Sequence, residues 1–236
     1  MIEFRSVGFS YPNGVRALSA INATIQKGEF VFIAGPTGSG KSTALKMIYR
    51  ELKPTFGEIW VNGLNVGTIP PKRIPYLRRT LGVVFEDFKL LHGRTVFQNV
   101  AYALEVVGTD RHEIERQVGR ALQLVALGHK ADQNVEHLSG GEQQRTSIAR
   151  AIVNGSNLLI ADEPTGHLDA ETGWEIMQIF EQINKEGATV VVATHNIDWI
   201  ERLQKRVIFI YEGETIEKYI KGANRLGLSN SSVLSP

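Results

Sequence analysis

The sequence predicts an α/β fold: a mixed, mainly parallel sheet with an antiparallel β edge and an inserted helical subdomain. Three observations predict it. Short apolar runs alternate with helical patterns, the mark of strand–helix–strand units. The turn residues Pro12-Asn13-Gly14 separate the first two runs and suggest an antiparallel edge. Three helical patterns in a row, from about Thr95 to Val153, interrupt the alternation. The predicted strands are Ile2–Val7, Ala20–Ile25, Phe30–Ala34, Glu58–Val61, Gly82–Phe85, Asn157–Ala161, Thr189–Ala193 and Val207–Tyr211. The predicted helices are Lys41–Arg50, Val96–Val107, Arg111–Val125, Gly140–Val153, Ala170–Asn184 and Ile197–Leu203. This gives one domain over residues 1–220, with a core of 1–90 and 156–220 and a helical subdomain of about 91–155. Residues 221–236, rich in Ser, Asn and Gly, read as a flexible tail.

Composition narrows the function classes. The chain has 236 residues and is 42% hydrophobic, enough for a sizeable core. Lys+Arg number 26 and Asp+Glu 25, a net charge of +1 that gives no support for nucleic-acid binding. There is no cysteine, hence no disulfide framework and no thiolate metal site. The first residues, MIEFRSVGFSY, carry charge where a signal peptide needs an apolar run. No apolar stretch approaches the ~20 residues of a membrane helix. The chain is expected to be soluble, and to work at a membrane only through a partner.

The strand Phe30–Ala34 runs into Gly35-Pro36-Thr37-Gly38-Ser39-Gly40-Lys41-Ser42-Thr43 and then a helix. This is a phosphate-binding loop in its strand-to-helix context, and it predicts a P-loop NTPase core. Its glycines let backbone N–H groups wrap a phosphate, and the helix N-terminus adds positive potential. Lys41 is expected at the β and γ phosphates of ATP, Ser42 on Mg²⁺, and Thr43 toward the α-phosphate. The plain alternative is a glycine-rich turn that starts a helix.

Asn157–Ala161 ends in Asp162 and Glu163. A buried strand has no structural use for two acids at its carboxyl end, where open sheets bind ligands. Asp162 suits Mg²⁺, and Glu163 suits a water that attacks phosphorus. The alternative is an Asp-Glu pair that merely enters the next segment. His195 ends the apolar run Thr189–Thr194 and is a candidate γ-phosphate donor, although a lone strand-end histidine is more often structural.

Leu138-Ser139-Gly140-Gly141-Glu142-Gln143-Gln144-Arg145 opens a helix, and Ser139 and Glu142 have capping-box spacing. Two glycines after a cap weaken the first turn, which makes sense if a phosphate approaches the exposed N–H groups. Together with GPTGSGKST, ADEPTGHLD and ATHN, this segment resembles the nucleotide-binding domain of ABC-type ATPases, from about Glu3 to Tyr211. The resemblance implies a homodimer in which Ser139, Gly140, Gly141 and Glu142 of one chain act on ATP held by the other. It implies that the loop ending at Asp169 passes between the two sites and that Tyr11 stacks on adenine.

The segments Tyr76–Arg79, Leu81–Leu91, Arg94–Ala101 and Ala103–Gly108 are similar to the cell-division branch of that family. The branch implies an integral membrane partner and a place at the cytoplasmic face of the membrane. The rival reading is a subunit for lipoprotein release or macrolide efflux. A DNA-acting ATPase of the family would need long coiled coils between cradle and LSGG. That interval, about a hundred residues, carries no sustained heptads. A P-loop kinase is disfavoured by LSGG and His195. Three positions depart from the family pattern: Glu86 replaces Gln, His167 replaces Asn, and Asn196 replaces Asp. Glu86 reads either as a hard oxygen ligand for Mg²⁺ or as the start of a solvated loop beside Asp87.

Overall fold

The computed structural model describes residues 1–216, which fall into two compact units. The expected tail, 221–236, lies outside the described residues.

The first unit comprises Met1–Ile74 and the chain from Val191. Strands β1 (Ile2–Ser10) and β2 (Arg16–Ile25) form the expected antiparallel edge. Tyr11 N donates to Val15 O at 2.8 Å and Gly14 N to Tyr11 O at 2.9 Å, closing the turn at Pro12–Gly14. β1 carries a register shift between Phe4 and Val7, where Ser6 turns left-handed and donates its N–H to Asn22 Oδ1 at 2.8 Å. The remaining strands are β3 (Phe30–Ala34), β4 (Phe56–Val61) and β5 (Leu64–Asn65), then β9 (Arg206–Tyr211) and β10 (Glu214–Ile216). Their order is β5-β4-β1-β2-β10-β9-β3. β3 lies parallel to β9, and all five of its residues are buried, as an apolar run without alternation requires. Helix α1 (Lys41–Ile48) follows β3 directly, and α7 (Ile197–Leu203) precedes β9.

The second unit is Pro75–Val190. It holds most of α2 (Ile74–Arg79), then β6 (Leu81–Val84), α3 (Val96–Glu105), α4 (Arg111–Leu124), α5 (Gly140–Ile152), β7 (Leu158–Asp162) and α6 (Ala170–Lys185). β6 and β7 pair in parallel. β8 (Thr189–Thr194) starts in this unit and ends in the first. The expected helical run is present as α3, α4 and α5, and α5 packs on α3, α4, α6 and β6. The starts of α3, α4, α5 and α6 each have a side-chain cap: Thr95 with Gln98, Asp110, Ser139 with Glu142, and Asp169.

Most predicted elements are present with ends moved by a few residues. β5, β10 and α2 were not expected. Among the described residues no helix is long and apolar enough to cross a membrane.

Candidate functional site

In the first unit, β3 delivers the chain into the loop Gly35–Gly40 and α1 receives it. Gly40 is the N-cap of α1 with φ 104°, a conformation side chains resist. A Cβ there would also lie 2.6 Å from Ala17 O and 2.5 Å from Leu18 Cδ2. The first N–H groups of α1 therefore open on the loop without a side-chain cap. Lys41 is 6% exposed, and its ammonium donates to Gly35 O at 2.9 Å and Pro36 O at 3.1 Å. Thr37 and Gly38 are exposed at the tip of the loop. Ser39 Oγ is buried with no hydrogen-bond partner, a costly state that a phosphate oxygen would relieve. The residues present thus fit an anionic ligand.

Ser42, next on α1, is half-buried, and Thr43 Oγ1 and Tyr11 Oη share a hydrogen bond of 3.1 Å. That bond ties the turn after β1 to α1. The Tyr11 ring meets Phe9 edge-on at 4.9 Å. His195 is exposed at the end of β8, and Asn196 caps α7 by accepting from Asp198 N at 2.9 Å. Asn196, one of the departures from the expected pattern, thus serves as the N-cap of α7.

In the second unit, β7 is buried until Asp162, which is half-buried like Glu163 after it. Glu163 has φ 44°. A left-handed non-glycine residue costs about 1–3 kcal/mol and is found where surroundings enforce it, often at functional sites. The turn beyond is closed by Gly166 N donating to Glu163 O at 3.1 Å.

Glu86 follows β6 and lies against this turn. His167 Nε2 is 3.7 Å from Glu86 Oε1, and a Cβ on Gly166 would lie 3.7 Å from the same oxygen and 3.8 Å from Glu163 Cβ. Two of the departures from the family pattern, positions 86 and 167, are therefore neighbours. Asp87 instead pairs with Lys89 Nζ at 2.5 Å.

The LSGG segment starts α5. Ser139 and Glu142 cap it reciprocally: Glu142 N donates to Ser139 Oγ at 3.4 Å and Ser139 N to Glu142 Oε2 at 3.0 Å. A Cβ on Gly141 would sit 2.5 Å from Thr172 Cγ2, so close contact between α5 and α6 demands glycine there. Lys130 Nζ donates to Glu142 Oε1 at 2.5 Å, and this bond holds the Glu142 carboxyl below its ordinary range. Asp169 caps α6 through Thr172 N at 2.9 Å, Thr172 Oγ1 at 2.7 Å and Glu171 N at 3.1 Å. These bonds lower its pKa, the Thr172 N–H most.

Three residues of this region escape motif reading. Lys130 ends a single 3₁₀ turn, Gly128–Lys130, and carries no local signal. Asn99 (0% exposed) and Arg150 grip the stretch after Glu86. Their signal is a polar residue on a helix's buried side, Arg150 lying one turn beyond buried Thr146 and Ser147. Burial lowers the Arg150 pKa.

Comparison with known proteins places this geometry among relatives. A family model described as ABC transporter matches residues 18–166. The chain is 54% identical over 222 residues to the cell division ATP-binding protein FtsE of Bacillus subtilis (strain 168), covering 94% of this chain and 97% of that one. It is 42% identical over 213 residues to FtsE of Escherichia coli (strain K12), covering 90% and 96%. It also resembles the solved dimeric structure of a post-hydrolysis state of the ATP-binding cassette MJ0796 bound to ADP and Pi. There the TM-score is 0.85 at 35% identity, over 94% of this chain and 100% of that one.

Proposed function

Because the chain belongs to the ABC transporter family, we propose that it is the ATP-binding and ATP-hydrolysing subunit of a membrane-associated complex in cell division. In this reading it is FtsE-like, and ATP-driven closure of its homodimer moves an integral membrane partner of the FtsX type. The observation that carries the reading is 54% identity to an FtsE across 94% of the chain. An interval this long and continuous includes the variable segments as well as the phosphate motifs.

The residue roles follow from chemistry. The loop Gly35–Thr43 cradles the triphosphate, with backbone N–H groups and the Lys41 ammonium on the β and γ oxygens. Tyr11 offers its ring to adenine. Ser42 and Asp162 carry the hard oxygens that Mg²⁺ takes, and Glu86 offers a further carboxylate. When bound, the metal neutralises phosphate charge. The Glu163 carboxylate accepts a proton from water as the water oxygen bonds to the γ-phosphorus. The bond from that phosphorus to the β–γ bridging oxygen breaks, and ADP leaves with the electron pair. His195 donates to a γ-phosphate oxygen. Ser139, Gly140, Gly141 and Glu142 of one copy complete the site of the other through the N-terminus of α5. The Asp169 loop lies between the two copies.

A dimer seen with ADP and Pi in a cassette of 35% identity supports this arrangement. Cytoplasmic placement at the membrane follows from such a partner.

Depletion of the protein in its own host, with affinity capture from detergent-solubilised membranes, tests the reading. Blocked or delayed septation and capture of a polytopic membrane protein are expected. Normal division with defective lipoprotein sorting or drug export would replace it with the transporter reading.

A further inference from the structure

The loop after Glu86 is held in a form its residues do not favour. Phe88 and Lys89 are consecutive left-handed residues, with φ 59° and 48°. Neither is glycine, and the Lys89 N–H donates back to Asp87 O at 2.6 Å. Such a pair persists only where surroundings impose it. Arg150 fastens the pair itself, and Asn99, from a different helix, holds the loop beyond it.

Arg150, in the last turn of α5, donates one guanidinium nitrogen to Lys89 O at 2.6 Å and the other to Phe88 O at 2.8 Å. The planar fork reads the two carbonyls at once, which a lysine ammonium cannot reproduce. Asn99, fully buried on α3, holds the far end of the loop. It accepts from Leu91 N at 2.7 Å and donates to Leu91 O at 3.1 Å and Thr95 O at 3.0 Å.

The loop is therefore fastened at residues 88, 89 and 91. Its near end carries Glu86, whose carboxylate lies against the turn that begins at Glu163. We propose that Arg150 is a positioning residue for ATP hydrolysis: its fork on Phe88 O and Lys89 O keeps Glu86 against the Glu163 turn, with Asn99 fixing the other end of the loop. This rests on reading Glu163 as the residue that activates water. Arg150 itself touches no reacting atom. Its loss should lower turnover through geometry and leave the phosphate cradle of the first unit alone.

The test uses the full chain and measures kcat, ATP affinity by calorimetry, and amide exchange over residues 86–91. Arg150→Lys keeps charge and stem and loses the fork, so it decides the matter even if Arg150→Gln fails to fold. Its kcat should fall about tenfold or more, the scale of effect that small misplacement produces. ATP affinity should stay within about twofold, a split between kcat and binding that general destabilisation would not give. Exchange over 86–91 should quicken by roughly tenfold, as a locally released segment does. Adding Lys89→Gly to Arg150→Lys should recover part of the lost kcat, because glycine takes a left-handed φ without help.

A kcat near that of the parent, unchanged exchange over 86–91, or ATP affinity falling in step with kcat would each overturn the proposal. So would an Arg150→Lys defect beside a fully active Glu86→Ala, since Arg150 would then not act through Glu86. Turnover retained by Glu163→Gln would instead remove the reading beneath it.

Discussion

At the scale of single residues, the proposed hydrolysis turns on Glu163. Its backbone is left-handed at φ 44°, and an amide of the same shape would preserve that turn while losing the ability to accept a proton. Glu163→Gln should therefore retain ATP affinity and lose about a hundredfold or more of its turnover, the scale of general-base catalysis. ATP should then trap the dimer, visible by size-exclusion chromatography. Turnover within about twofold of the parent would remove the assignment. Glu163 is legible in the sequence as a candidate because an acid at the end of an apolar strand has few structural uses. Arg150 and Lys130 were not legible in that way. What each does depends on a carbonyl or carboxylate 61 or 12 residues away in the chain, and no local pattern encodes that.

At the scale of elements, two caps carry charge into the candidate site. Glu142 is held below its ordinary pKa by the Lys130 bond, and Asp169 by bonds from Thr172 and Glu171. A carboxylate whose folded pKa is depressed adds stability above its unfolded pKa, and loses it as pH falls through the folded value. The melting temperature should thus hold down to the ordinary carboxylate range near about pH 4 and drop below it. Glu142→Gln, which removes one of the titrating groups, should make that acid drop shallower. A drop of unchanged steepness in Glu142→Gln would exclude the Lys130–Glu142 bond as a contributor.

The long elements were readable from the sequence because apolar period and caps agree, as at Ser139 and Asp169. The missed ones fail for physical reasons. β5 spans two residues and β10 three, too short to show alternation. The only available clues were the glycine turns at Gly63 and Gly213, both with φ 77°. α2 contains Pro75, which reads as a breaker, yet proline is tolerated in a first turn where its missing N–H has no partner to lose.

At the scale of the whole molecule, the sequence-based fold class stands and the paired departures at 86 and 167 gain a spatial meaning. The proposed work of the chain needs a second copy and a membrane partner, and depletion with membrane capture tests for both the phenotype and the partner. The first unit is discontinuous: β3 pairs with β9, and β2 with β10, so Ala20 finds its parallel partner at Glu214. The second unit runs without a break from Pro75 to Val190. On a ribosome that releases the chain from its N-terminus, the phosphate loop emerges early, yet β3 waits beside an absent neighbour until almost the last described residue is made. Contacts this distant in sequence form slowly. Pulsed hydrogen exchange during refolding should protect β6 and α5 before β3. If β3 is protected first or all three together, this order is wrong. With β3 protected last, a newly made chain is unable to grip nucleotide until β9 has been made, and a chain stopped before it could not compete for the membrane partner as an ATP-loaded subunit.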